Sequence, residues 1–151
     1  GEDPRYIARR IVIHAAEDVG LADPTVLSTA VAAQQAVAMI GMPESGLILA
    51  EAALAVATAP KSNAVTEALN ESLADVRAGK AAAVPAHLRD AHYAGAEGLG
   101  HGKGYRYHAV VGQQYLPDGL EGTRYYRPTG NGFEKQLASR LEAVRRILDE
   151  R

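Results

Sequence analysis

The residues best suited to chemistry lie in Gly98-Leu99-Gly100-His101-Gly102-Lys103-Gly104-Tyr105-Arg106-Tyr107, a glycine-alternating, basic and aromatic run. A Walker-type phosphate cradle needs Gly-x-x-x-x-Gly-Lys followed by Ser or Thr, so that backbone amides wrap the phosphates and the hydroxyl reaches magnesium. Glu97 stands where the first glycine belongs and Gly104 where the hydroxyl belongs, so that register is excluded. The run offers a second chemistry. Bases stack on tyrosine while Lys and Arg pair with phosphate, which makes Arg89, Lys103, Tyr105, Arg106 and Tyr107 candidate contacts for single-stranded DNA, with Tyr93, Arg124 and Arg127 nearby in sequence. Asp90, Glu97, Asp118 and Glu121 interrupt this patch and weaken its pull on phosphate. The simpler reading is that the tyrosines pack and the glycines make turns.

Other reactive side chains give less. His87 and His92 are five apart, whereas two imidazoles sharing zinc on one helix face need a spacing of four. His14 precedes Glu17 and Asp18 but reads as an exposed polar neighbour. Ser28, Ser45, Ser62, Ser72 and Ser139 sit in helical patterns or at their caps, and none lies in a Gly-x-Ser-x-Gly elbow. The carboxylate pairs Glu17-Asp18 and Asp149-Glu150 fall at helix ends facing water, where nothing pushes one pKa upward for acid-base work. No catalytic, cofactor-binding or metal residue is assigned.

These residues are carried by a mainly α-helical chain. Helix periodicity places a first helix over about 4–19, with Asp3 capping, Pro4 opening and Ala8, Ile11, Val12, Ala15 and Val19 inward. Asp23 and Pro24 repeat that grammar for a second helix, whose inward stripe is Val26, Ala30, Ala33, Val37 and Ile40 and which Gly41 ends. A third helix runs from near Pro43 to before Pro60. Between Ser45 and Pro60 its only charge is Glu51, and it is apolar nearly all round, so it is expected to be buried on more than one side. A fourth begins at Ser62 or Asn63, points Val65, Leu69, Leu73 and Val76 inward and stops at Gly79. Two antiparallel helix pairs are the simplest packing, because the connections are short.

After Gly79 the composition changes: ten of the fifteen glycines and six of the seven tyrosines lie between Tyr93 and Gly132. That segment is read as loop-rich or built of short strands. A last helix over about 132–150 is expected to bury Phe133, Leu137, Leu141, Val144 and Leu148. The organisation is one domain over 1–151: a four-helix body over 1–79, a Gly/Tyr-rich segment over 80–131 and a C-terminal helix over 132–151.

With 151 residues, 47% of them apolar, and a net charge of −2, the chain is long enough for a well-buried core and has no global field for gathering DNA. No apolar stretch approaches a membrane span, and there are no cysteines for disulfides or thiolate zinc sites. The opening Gly1-Glu2-Asp3-Pro4, without an initiator methionine and already at a helix boundary, reads as a domain taken from a longer protein.

Several strings in order are more specific than any of these features. They are Gly1-Glu2-Asp3-Pro4 with Ile7-Ala8-Arg9-Arg10, then Glu17 to Pro24, Ile40-Gly41-Met42-Pro43-Glu44 and Ala59-Pro60-Lys61-Ser62-Asn63. Val84 to Arg89, Gly102-Lys103-Gly104-Tyr105, Gln114-Tyr115-Leu116-Pro117 and Tyr125-Tyr126-x-Pro128 follow. Over essentially the whole chain this resembles the C-terminal domain of the replication-associated recombination protein A family of AAA+ ATPases. That family is also called maintenance of genome stability protein A, and it includes the Werner helicase-interacting protein.

The resemblance implies a helical bundle similar to a clamp-loader collar, acting as a homo-oligomerisation domain that assembles a homotetramer. It places the ATPase module, its helical lid and their ATP and magnesium outside this chain. It implies a cytoplasmic, nucleoid-associated parent protein of bacterial DNA replication, recombination and repair, acting at stalled forks with DNA and single-stranded-DNA-binding protein as partners. The chain itself is then non-catalytic, with Leu47, Ala50 and Leu54 of the third helix as interface candidates. One departure stands out: His108-Ala109-Val110-Val111-Gly112 leads quickly to Gln113 where the family carries a longer loop.

Overall fold

The computed structural model describes residues 1–106 and 111–149. Five α-helices are present: α1 (Pro4–His14), α2 (Pro24–Ile40), α3 (Ser45–Thr58), α4 (Ala64–Arg77) and α5 (Glu134–Asp149). No strand occurs among the described residues, and the described part of the Gly/Tyr-rich segment is made of turns and irregular chain, with short 3-10 turns at Ala86–Leu88 and Glu97–Leu99. The chain divides into two compact units. Residues 1–69 and 126–139 form one and residues 70–125 and 140–151 the other, with α4 and α5 each running from one into the other.

In the first unit the expected caps are in place. The Asp3 carboxylate accepts from the Arg5 amide at 2.8 Å, and Asp23 accepts from the Thr25 amide at 3.1 Å, so each helix starts with an otherwise orphaned N–H satisfied. Gly41, at φ +79°, ends α2. The first helix keeps to its expected length but changes pitch, passing into a π-helical turn over Ala15–Val19. That turn carries Ala15 and Val19, both fully buried, into the core with Val26 and Ala30, and Ile11, Val12, Ala55, Val56 and Ala59 close around them. The helices α1, α2 and α3 pack pairwise on one another. Lys61 finishes α3 by donating from Nζ to the carbonyls of Val56 and Ala59 at 2.7 and 2.6 Å.

Residues 126–139 complete this unit. The Phe133 amide donates to the Ala22 carbonyl at 2.7 Å, and the Asn131 side chain donates to the Lys61 carbonyl at 2.9 Å. At Gly132 any Cβ would stand 2.2 Å from the Ala22 carbonyl oxygen, so only glycine lets the chain approach this closely.

Several expected inward positions are corrected. Ile40, Val65, Leu69, Leu73 and Val76 are all exposed, as are Phe133 and Val144, and Leu137, Leu141 and Leu148 are only half-buried. The interior is filled by small residues instead: Ala8, Ala22, Ala30, Ala33, Ala52 and Ala64 are each at most 5% exposed. Alanine lets helix backbones come close, which leaves no room between them for leucine.

In the second unit side chains fix the turns. Asp75 accepts from Lys80 Nζ at 2.8 Å and from the Tyr125 hydroxyl at 3.0 Å, which joins the end of α4 to the far end of the loop segment. The Lys80 and Tyr125 hydrogen bonds hold the Asp75 carboxyl below its ordinary value, and the same pairing raises Lys80. Tyr125 is raised by burial and by its bond to Asp75.

Candidate functional site

The first unit presents an outer face almost without charge. From Pro24 to Pro60 the only ionisable side chains are Glu44 and Glu51. The sequence expects α3 to be buried on more than one side, yet within this chain only Ser45 and Ala52 of it are buried. Leu47, Ala50 and Leu54, the interface candidates, all point outward, with Leu47 80% and Leu54 64% exposed. They recur at helical spacing, so one stripe of α3 carries them. Met39 and Met42, at the end of α2 and just beyond it, are 82% and 58% exposed. Beside the stripe a groove of about 320 Å³ lies between α2 and α3, lined by Ala32, Ala33, Ala36, Ala52, Ile48 and Glu51 among others. A soluble helix pair ordinarily turns such residues inward; contiguous apolar surface left outside marks a place where another molecule sits.

The second unit holds the nucleic-acid candidates. Arg89 donates from Nε to the Val84 carbonyl at 2.6 Å, and its guanidinium lies 3.4 Å from His101 Nε2. The other imidazole nitrogen of His101 meets the Tyr93 hydroxyl at 2.7 Å, with the two rings edge to face. Arg106 donates from its guanidinium to the Val111 carbonyl and from its backbone amide to Gln113 Oε1, both at 2.9 Å. Lys103 and Tyr105 are exposed. Arg106 and Arg124 line a cavity of about 910 Å³ with Gln113, Tyr115 and Glu121, a wall to which Arg89, Lys103 and Tyr105 do not contribute. The four described candidates, Arg89, Lys103, Tyr105 and Arg106, therefore do not share this cavity. Tyr107 and the short His108-Ala109-Val110 stretch lie outside the described residues.

The glycine alternation has a backbone cause. Gly100, Gly102 and Gly104 all have φ between +69° and +86°, and a Cβ on Gly102 would come 2.7 Å from that of Ala91. The Gly102 amide donates to the Ala86 carbonyl at 2.8 Å, tying the run to residues 84–89. Residues 100–104 turn through three left-handed glycines.

Sequence reasoning missed Glu134. It is fully buried at the start of α5 and accepts from the hydroxyls of Tyr126 (2.7 Å), Ser62 (2.8 Å) and Thr129 (2.5 Å) and from the Thr129 amide (2.8 Å). Burial alone raises a carboxyl, but these donors outweigh it and hold Glu134 below the ordinary glutamate value. Tyr126 is pushed strongly upward by burial and by the carboxylate it serves. The available signal was an acid in the first turn of a helix, just after the Thr129-Gly130-Asn131-Gly132 turn. Among the described residues no cluster of three or more His, Asp or Glu side chains is arranged to hold a metal ion, and no helix is long and apolar enough to cross a membrane.

Residues 1–145 match the family model described as MgsA AAA+ ATPase C terminal. An AAA domain-containing protein of Mycobacterium tuberculosis is 57% identical over 98% of this chain and 34% of its own length. Replication-associated recombination protein A of Bacillus subtilis is 45% identical over 89% of the chain and 34% of its own length. The ATPase WRNIP1 of Dictyostelium discoideum is 36% identical over 83% and 15%. The chain spans about a third of the length of the two bacterial relatives.

Proposed function

The chain belongs to the MgsA AAA+ ATPase C-terminal family, and from that premise we propose that it is a non-catalytic homo-oligomerisation domain. It assembles four copies of a cytoplasmic, nucleoid-associated AAA+ ATPase that acts in DNA replication, recombination and stalled-fork maintenance. The observation that carries this reading is the exposed Leu47, Ala50 and Leu54 stripe on a helix pair, α2 and α3, whose only charged residue is Glu51. Such a face costs solubility unless it is covered, and coverage by further copies is what an assembly domain supplies. A relative that is a replication-associated recombination protein supports the cellular setting.

ATP and magnesium belong, on this reading, to the parent ATPase rather than to this chain. The glycines of the 98–104 run serve turns, and the residue after Lys103 has no hydroxyl to offer magnesium. Light scattering tests the proposal: a mass above that of one chain at tens of micromolar is expected, and a strictly monomeric mass overturns it.

A second reading is single-stranded DNA binding through the Lys103–Tyr107 region, directly or beside single-stranded-DNA-binding protein. It is supported by Lys103 and a Tyr105 ring left 48% exposed. It expects affinity that falls steeply with salt and weakens in Lys103→Ala and Tyr105→Ala. Absence of binding to an oligothymidine at low salt removes it.

A further inference from the structure

The Leu47-to-Leu54 stripe has a counterpart on α1. Tyr6 and Ile13 are 48% and 41% exposed, seven residues apart, and Arg9 is exposed between them on the same helix face. On α3, Leu47 and Leu54 are also seven apart, and exposed Glu51 lies between them on that face. The two strips have the same apolar spacing and opposite charge at the centre. Antiparallel, the two registers coincide; parallel, Arg9 and Glu51 are offset by one residue's rise, about 1.5 Å. Laid antiparallel, Tyr6 meets Leu54 and Ile13 meets Leu47; Arg9 is three residues from Tyr6 and Glu51 three from Leu54, about 4.5 Å along each axis, so the two charges come opposite each other. Arg10, by contrast, lies against His14 at 3.3 Å.

We propose that a second copy of this chain docks head to tail, with the Tyr6-Arg9-Ile13 strip of one copy antiparallel on the Leu47-Glu51-Leu54 strip of the next and Arg9 paired with Glu51. The inference rests on the assembly reading above and gives it a seam. The alternative, α3 packed on α3 of a partner about a two-fold axis, also aligns leucines with leucines. It sets the two Glu51 carboxylates within one residue's rise, about 1.5 Å along the axis, in a face that water is leaving. Like charges so placed are strongly unfavourable, whereas an Arg-carboxylate pair can be bidentate. Because the two strips are different surfaces, the contact is heterologous, and it can close into a ring.

Charge reversal on the 151-residue chain tests the seam, with self-association followed by sedimentation velocity and helix content by circular dichroism. Glu51→Arg and Arg9→Glu are each expected to weaken association roughly a hundredfold while leaving helicity unchanged, since both side chains are exposed. The double variant is expected to recover it. So is an equimolar mixture of the two single variants, because copies alternating around the ring then bring opposite charges together at every seam. Association unaffected by Arg9→Glu, or a folded double variant and mixture that stay dissociated, overturns the seam while the assembly reading survives. A wild-type chain that is monomeric throughout overturns both.

Discussion

In the α1–α3 body the fully buried core is mostly alanine and valine, held by close backbone approach, while the large side chains of Leu47, Leu54 and Met39 face outward. Among the described residues of 80–125 only Ala96 and Leu120 are buried apolar residues, and chain direction is set by left-handed glycines and by side chains reaching particular carbonyls, as Arg89 reaches Val84 and His87 reaches Gln114. The difference separates two ways of specifying structure. Small-residue packing is tolerant of what lies on the outside of each helix, so the body can present a greasy surface without weakening its own core. A network of turns has less such freedom, because its side chains answer to particular partner atoms.

Leu54→Asp puts this contrast under the greatest load. Its side chain is 64% exposed, so the variant is expected to keep the helicity and melting temperature of the parent chain yet lose self-association by roughly a hundredfold or more, because assembly would bury an unpaired carboxylate. Unchanged association means that the stripe faces water. Ala30→Leu probes the opposite side of the same body: at 1% exposure there is no room for three more carbons, and a loss of about 1–3 kcal/mol by urea unfolding is expected. Neutral behaviour shows that the small-residue interior is not tightly packed.

Glu134→Gln tests a part of the first unit that is built like the loops. The amide keeps the shape but replaces an acceptor-only carboxylate facing four donors, so about 1–3 kcal/mol is expected to be lost near neutral pH. The folded-state pKa is depressed, so this stabilisation is complete above the ordinary glutamate value of about 4.3 and is lost as pH falls through the lower folded one. Parallel pH-stability curves for the parent and Glu134→Gln below about pH 5 contradict that assignment. The smallest global effect is expected from Gly102→Ala. Strain at a positive φ and the approach to Ala91 cost about 1–2 kcal/mol locally, read as faster amide exchange across 84–105 with α1–α3 unaffected. Uniform protection across that segment means that the turn tolerates a side chain.

Helix placement was legible because it depends on local signals. Asp3-Pro4 and Asp23-Pro24 start α1 and α2, and Gly41 ends α2, as backbone capping requires. Periodicity also identified Ala8, Ala15, Val19, Val26, Ala30, Ala33 and Val37 as core. It failed at Val65, Leu69, Leu73 and Val76, because an apolar stripe states that a face will be covered and not by what. That α3 is apolar nearly all round was legible in the same way; that Leu47, Ala50 and Leu54 are among the residues it leaves exposed was decided by the fold. The proposed seam with Tyr6, Arg9 and Ile13 was not legible, since it depends on which residues of each helix the rest of the body leaves exposed.

The order of residues was enough to place the helices, their caps, the turn-forming glycines and the family, all of which follow from short-range backbone preferences or from ordered strings of residues. It took the assembled fold to put alanine in the core and leucine on the surface. The same assembly brought Ser62, Tyr126 and Thr129 around Glu134 and joined Asp75 to Tyr125 across 50 residues. Burial and partnership are properties of atoms brought together from distant positions, and the free energy of that meeting is not written in either segment alone.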